Sequence, residues 1–317
     1  MDYRALEAIF GAIENAKHLL LITHINPDAD TLCSALAFYD VMWRRQKKCT
    51  IFNARLPLPV EMGALPHASK IVSTLPQSAD LAIAFDCGSF DRLGIEALSI
   101  PLVNIDHHLG NSDFGTYNIV DASRASTTQL VYEMLAGYGF KLSSTAAQLL
   151  FTGLMFDSLS FGTNKVDAMT LDVASKLVAL GASAQEARAR LYESYSLARM
   201  RLLGQMLGTL QLFGEGRIAV CYATQAMFDA TGAHPTDSDE AVRVVMSMGV
   251  VHMAIVMRQE RPNFVKVSLR TKGDEDMSQI AACFGGGGHA KASGFGHEGT
   301  IEALQSQLVE ILESELA

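Results

Sequence analysis

The sequence predicts an α/β fold in two parts, an N-terminal parallel-sheet domain followed by a smaller C-terminal α/β domain. Three observations lead there. Strand-length apolar runs alternate with amphipathic helical stretches over the first half, the pattern turns helical from about 124 to 209, and strand-like runs return after Gly214. Strands alternating with helices imply right-handed βαβ units and hence a parallel sheet. At 317 residues the chain exceeds the usual single-domain length, so a second core is expected.

Taken in order, the N-terminal stretch carries Leu6, Ile9, Phe10 and Ile13 at helical spacing, with early acids. It lacks the basic start and small-residue cleavage site of a secretory signal. The runs HLLLIT (18–23), CTIFN (49–53), DLAIAFD (80–86) and PLVNID (101–106) read as buried strands. Between the first two, Leu32, Leu36, Tyr39 and Trp43 mark a helix over 31–46. An Arg-rich amphipathic stretch covers 186–207, and 217–223, 249–259 and 263–271 read as strands of a smaller sheet. The expected organisation is one domain over 1–185, a helical linker over 186–209 and a second domain over 210–317. No internal repeat or low-complexity tract interrupts it.

Composition narrows the function classes. Hydrophobic residues make up 49% and charged residues 19%, which fits a globular protein. No apolar run reaches the roughly 18 residues of a membrane span. Cys33, Cys49, Cys87, Cys221 and Cys283 are scattered, with no CxxC pair. That argues against a zinc ribbon or disulfide framework and for a reducing cytoplasm. The formal charge of -9 lacks the basic footprint of a protein that grips long DNA or RNA. A polyanionic substrate would be short, met by a few placed cations and metal ions.

Chemistry-bearing residues gather at strand ends, where active groups of open parallel sheets collect. THINPDAD places His24, Asp28 and Asp30 directly after the first strand. Three such groups can hold hard cations, although Asn26-Pro27-Asp28 is also a turn signal and Asp30 a candidate helix cap. Asp86 ends the run 80–86, where a lone acid often only faces solvent. Asp106-His107-His108 ends the run 101–106, and imidazole is a leading metal ligand. Asp157 lies in the apolar stretch LLFTGLMFDSLSF, where a carboxylate is costly unless paired or metal-bound. Carboxylates and imidazoles without thiolate suit Mn²⁺ or Mg²⁺, with Mn²⁺ preferred because two imidazoles join the set. Two such ions ~3.5–4 Å apart form the usual clamp for in-line attack on phosphorus.

The glycine run in FGGGGHAKASGF (284–295) lets backbone N–H groups approach an anion. Gly286, Gly287 and Gly288, with His289 and the strand-borne Arg270, read as a phosphate or nucleotide cradle. A helix starting at Ala290 would add its N-terminal dipole. The alternative is a tightly packed turn.

The order His24-x3-Asp28-x-Asp30, Asp86, Asp106-His107-His108 and Asp157 resembles the four motifs of the DHH phosphoesterase superfamily. KVSLRT (266–271) with FGGGGHAKASGF resembles the signature of its DHHA1 domain. The pair spans nearly the whole chain, as in the nanoRNase/pAp phosphatase branch, whereas RecJ-type exonucleases are longer. The resemblance implies that His24, Asp28 and Asp86 hold one metal and Asp30, Asp86, His107 and Asp157 a second. It makes His108 the group facing the scissile phosphate or leaving oxygen, with Asp106 orienting its neighbours. Arg270 and the glycine–histidine loop would fix the substrate's phosphate or terminal nucleotide, and the 183–209 connection would act as a hinge.

Arg92 and Arg124 are further substrate-binding candidates, and Ser126 and Thr127 either share that role or cap a helix. One departure is Cys33, which replaces the glycine of DxDxxGS and implies altered packing. Cys87, beside Asp86, is the expected site of oxidative sensitivity. The leading activity is 3′–5′ hydrolysis of RNAs of a few nucleotides, with adenosine 3′,5′-bisphosphate as a second substrate. The alternatives are cyclic di-AMP or pApA hydrolysis, or a nucleotide sensor without catalysis. A homodimer through the helices around 124–180 is expected.

Overall fold

The apolar runs at the start of the chain form a sheet whose central strands are buried on both faces, as parallel strands covered by helices must be. The computed structural model describes residues 3–58, 60–193 and 195–316. It divides into two units, Met1–Ser194 and Tyr195–Ala317.

The first unit comprises α1 (Tyr3–Asn15), β1 (His18–Thr23), α2 (Ala29–Arg44), β2 (Lys48–Phe52), α3 (Val60–Gly63), β3 (Ile71–Val72), β4 (Leu81–Phe85), β5 (Leu102–Asp106), β6 (Tyr117–Val120), α4 (Thr127–Gly137), α5 (Ser144–Asp157), α6 (Ala168–Ala179) and α7 (Ala184–Tyr192). Its strands pair in parallel in the order β3-β2-β1-β4-β5-β6. The order reverses between β1 and β4, so their carboxyl ends open the crevice where such sheets bind ligands. Each of β1, β4 and β5 is buried along its whole length.

The expected helix over 31–46 runs from Ala29 to Arg44, because Asp28 caps it by accepting from Thr31 N (3.0 Å). Leu32 and Leu36 are in the core, but Trp43 is about half exposed. The buried stripe ends instead on Val41 and Met42. The short strands β3 and β6 lie at the sheet edges and were not anticipated.

The second unit comprises α8 (Leu197–Gly208), β7 (Gln211–Phe213), β8 (Ile218–Ala223), α9 (Gln225–Thr231), α10 (Asp239–Met246), β9 (Met253–Arg261), β10 (Phe264–Thr271), α11 (Met277–Cys283), β11 (Gly287–His289), β12 (Ala292–Glu298) and α12 (Ile301–Glu315). The order is β11-β12-β10-β9-β8-β7, with β8 and β9 parallel and the other pairs antiparallel. One face packs Val265, Val267 and Leu269 against Leu304, Leu308 and Leu312 of α12. The other packs Ala254 and Val256 against Leu202 and Met206 of α8.

Two expectations change here. The stretch 186–207 is two helices, α7 ending at Tyr192 and α8 beginning at Leu197, where Ser196 accepts from Arg199 N (3.0 Å) as a new cap. No helix begins at Ala290. Residues 287–298 form a hairpin, because the ladder from Phe264↔Glu298 to Arg270↔Ala292 claims the alternating residues of β12. Gly286 and Gly288 let the hairpin close: a Cβ would stand 2.3 Å from Phe295 Cβ at 286 and 2.6 Å from Ala292 O at 288.

Gly153, inside α5, sets the spacing of three helices in the first unit. A Cβ there would meet Thr128 Cγ2 of α4 at 2.4 Å and Asp30 Oδ1 of α2 at 3.2 Å. Gly153→Ala is therefore expected to destabilise the protein by about 1–3 kcal/mol through overpacking, despite alanine's better helix propensity. Chemical denaturation of the two proteins measures it.

Candidate active site

Asp86 organises the site. It follows β4 directly and takes the left-handed backbone conformation (φ 59°), which is uncommon outside glycine and costs on the order of 1 kcal/mol. The turn sends its buried carboxylate into the crevice, where Thr31 Oγ1 (2.6 Å) and Thr127 Oγ1 (2.9 Å) donate to its two oxygens. Three imidazoles approach it: His24 Nε2 at 3.7 Å, His107 Nε2 at 3.7 Å and His108 Nδ1 at 3.5 Å.

Each neighbour is placed by a different element. His24 follows β1, and Asn53 Nδ2 holds its carbonyl at 2.7 Å. His24 Nε2 is buried without a hydrogen-bond partner among the described residues. Asp30 sits in the first turn of α2 with its carboxylate on the N-terminus of α4. It accepts from Thr127 N (2.7 Å), Thr128 N (3.0 Å) and Thr128 Oγ1 (2.7 Å), a seat that the helix dipole favours.

His107 Nδ1 faces Arg124 O at 3.2 Å, which turns its Nε2 toward Asp157 Oδ2 at 3.2 Å. Asp157 is the last residue of α5. His108 Nδ1 is bonded to Asp106 Oδ1 (2.7 Å), and Asn111 Nδ2 donates to Asp106 Oδ2 (2.6 Å).

The residues read from the sequence as ligands thus converge. Three overlapping groups have ligand atoms within 4.8 Å of one another: His24, Asp28 and Asp86; Asp30, His107 and Asp157; and Asp86, His107 and His108. Arg92 lies near enough to Asp28 and His108 to act on both charges. Arg124 does not present its guanidinium there, because Glu133 Oε2 (2.9 Å) and Asp121 Oδ2 (3.5 Å) hold it; its carbonyl is what reaches the cluster. Ser126 caps α4, whereas Thr127 both opens that helix and bonds Asp86.

Sequence reasoning missed Thr31, Thr128, Asn53 and Asn111. Only Thr31 and Asn111 carried a signal, through their closeness to DAD and DHH. Cys87, expected to be oxidation-sensitive, is fully buried and its thiol pKa is pushed far up by burial and by Asp86. Such a thiol stays protonated and inert.

Four carboxylates in so small a space disturb one another. Burial raises Asp157 to about 7, with Asp86 and Asp28 adding to the effect. Burial, followed by Asp86, Asp157 and Asp28, pushes Asp30 well up, and burial with Asp86 raises Asp28. Burial would raise Asp86 too, but His24, His108, His107 and the Thr31 hydroxyl hold it at about 2. The hydrogen bond that His108 donates to Asp106 raises His108, while burial lowers His107. A hard donor set, a buried imidazole nitrogen without a partner and surplus negative charge together fit divalent cations.

In the second unit, Arg270 lies on β10 and its Nη1 donates to Leu269 O (2.9 Å). Gly287 and His289 are exposed on β11. Around Gly287 nothing lies within 4 Å of a would-be Cβ, in contrast to the tightly packed Gly286 and Gly288.

A pH dependence follows. Asp157 keeps its proton in the folded chain up to about pH 7, whereas an unfolded aspartate loses it near pH 4. Between these values the native state binds more protons, so metal-free stability falls as pH rises. Asp28 and Asp30 act in the same direction. Thermal melts of the chelated protein should show Tm decreasing from about pH 5 to 7, and added Mn²⁺ should stabilise most at the upper end. A Tm indifferent to Mn²⁺ at pH 7 would contradict this account of the cluster.

Comparison with known proteins agrees with the geometry. Residues 18–154 match the DHH family, N-terminal domain, and residues 216–316 match the DHHA1 domain. A bifunctional oligoribonuclease and PAP phosphatase NrnA of Thermus thermophilus is 28% identical over 317 residues, covering 99% of this chain and 94% of the relative. A Bacillus subtilis protein of the same description is 26% identical, covering 87% and 88%. Among solved structures, an exopolyphosphatase-related protein from Bacteroides fragilis shares the fold with a TM-score of 0.92 at 24% identity, over 99% of this chain and 98% of that one. Thermus thermophilus RecJ in complex with Mn²⁺ has a TM-score of 0.54 at 16% identity, covering 98% of this chain and 54% of RecJ. With a DHH domain carrying the converging carboxylates and a DHHA1 domain carrying the glycine hairpin, the chain belongs to the DHH/DHHA1 phosphoesterase family.

Proposed function

We propose that this protein is a two-metal phosphodiesterase that hydrolyses short oligoribonucleotides from the 3′ end and removes the 3′-phosphate of adenosine 3′,5′-bisphosphate. The observation that carries the reading is the convergence of His24, Asp28, Asp30, Asp86, His107 and Asp157 at the carboxyl ends of β1, β4 and β5. The names of the Thermus and Bacillus relatives support the substrate class.

His24, Asp28 and Asp86 would hold one cation and Asp30, Asp86, His107 and Asp157 the other, with Mn²⁺ preferred over Mg²⁺. Bound there, the ions supply Lewis-acid stabilisation of charge on the phosphoryl oxygens and activation of water at neutral pH. His108, kept protonated to higher pH by Asp106, gives a proton to the leaving oxygen. Asp106 fixes that imidazole's orientation and is itself fixed by Asn111. Arg92 adds positive charge beside Asp28 and His108. Arg270, Gly286, Gly287, Gly288 and His289 bind the substrate's phosphate or terminal nucleotide, Gly287 facing open space.

No helix among the described residues is long and apolar enough to cross a membrane. We favour a cytoplasmic homodimer, since Met169, Leu171 and Val178 of α6 are about half exposed.

The test is hydrolysis, with Mn²⁺, of a two-to-five-nucleotide RNA, adenosine 3′,5′-bisphosphate, pApA and cyclic di-AMP. Wild type should turn over the short RNA best, and Asp86→Ala should lose roughly a hundredfold or more in kcat. Gly287→Ala should fold normally and raise KM about tenfold, because its methyl group would fill the open space through which an anion reaches the backbone N–H. Preference for pApA or cyclic di-AMP would move the specificity to the dinucleotide alternative. Tight dinucleotide binding without turnover would make the protein a sensor.

A further inference from the structure

Two leucines stand exposed immediately beyond cluster residues. Leu109 follows His108 and is 91% exposed; Leu159 lies two residues beyond Asp157 and is 66% exposed. The mechanism uses neither.

The backbone at Leu159 is unusual. Leu159 (φ 49°), Ser160 (φ 58°) and Phe161 (φ 66°) are three consecutive non-glycine residues in the left-handed region, a conformation that such residues seldom adopt even singly. The fold over-determines this turn. Buried Ser158 donates through Oγ to Leu154 O (2.6 Å) and accepts there from Phe161 N (3.0 Å), while its carbonyl accepts from Gly162 N (2.8 Å) and Thr163 N (3.1 Å). Ser160 N closes on Met155 O (2.8 Å). Phe161 packs against Phe151, with ring centroids 6.0 Å apart, while Leu159 stays outside.

The two leucine-bearing loops are joined at the cluster. Asp157 Oδ2 lies 3.2 Å from His107 Nε2, and Lys165 Nζ reaches His107 O at 3.5 Å. Leu109 and Leu159 therefore both lie on loops that adjoin the His107–Asp157 contact, each with its side chain exposed. Strain and exposed apolar surface held at a ligand site point to a ligand. Beside a centre that takes phosphate, the apolar part of a nucleotide is its nucleobase.

We propose that Leu109 and Leu159 form an apolar clamp for the nucleobase adjoining the scissile phosphate, and so set the preference for nucleotides over other phosphate esters. This rests on the phosphodiesterase reading above and adds a base-contacting rim to it. Glycine adopts the left-handed backbone freely, so Leu159→Gly removes the side chain and relieves the strain together. Leu109→Ala removes a side chain that is almost wholly exposed.

The experiment compares kcat/KM on an RNA dinucleotide and on the same dinucleotide with the base next to the scissile phosphate deleted, with Mn²⁺ present. Wild type should favour the intact substrate about tenfold, as burial of part of a leucine side chain allows. Leu159→Gly and Leu109→Ala should each erase most of that preference by losing rate on the intact substrate only. The Tm of Leu159→Gly should equal or exceed that of wild type. Unchanged preference in both variants, or equal losses on both substrates, would overturn the clamp while leaving the phosphodiesterase reading in place. If wild type cleaves neither substrate, that reading fails and the clamp with it.

Discussion

Mutual repulsion among buried carboxylates is the constraint around which the first unit is built. Asp28, Asp30, Asp86 and Asp157 come from the entrance of α2, the exit of β4 and the end of α5. Left alone, such a group resists ionisation, as the upward shifts of Asp157, Asp30 and Asp28 record. The fold opposes this with donors aimed at individual oxygens: Thr31 and Thr127 on Asp86, and the first turn of α4 on Asp30. Close approach of α5 needs Gly153, so the spacing of three helices is subordinate to one carboxylate cluster. Divalent cations would complete the charge balance that hydrogen bonds only begin.

Asp86 is the centre because of its surroundings rather than its residue type. It alone of the four is held strongly acidic, by three imidazoles and two hydroxyls, and it belongs to two of the three ligand groups. Its left-handed backbone is the local expense of turning a strand-end carboxylate into the crevice. His107 and His108 divide the work. Arg124's carbonyl turns His107 toward Asp157, whereas Asp106 holds His108 by its Nδ1 and raises its basicity. In the second unit the glycines divide similarly: Gly286 and Gly288 satisfy packing, and Gly287 faces open space.

The sheet and the residues that converge at its carboxyl ends were legible in the sequence because both depend on local pattern. Apolar runs marked β1, β2, β4 and β5, and the acids or histidines ending three of them marked the crevice. Other features rest on partners distant in the chain. Thr128 reaches Asp30 across a separation of 98 residues, and nothing in its neighbours announces that bond. Edge strands β3 and β6, at two and four residues, are too short to show a period. The segment after Gly288 has a helix-like composition, and only its pairing with β10 makes it a strand. The break between α7 and α8 was hidden by an amphipathic pattern continuous across a new cap at Ser196.

The central claim is that Asp86 is shared between two cations. Calorimetric titration of the chelated protein with Mn²⁺ tests it most directly, comparing wild type with Asp86→Asn and Asp157→Asn. The account predicts two ions per chain in wild type, one in Asp157→Asn, and severe weakening of both in Asp86→Asn. A single ion in wild type, or one ion retained at undiminished affinity in Asp86→Asn, would contradict it.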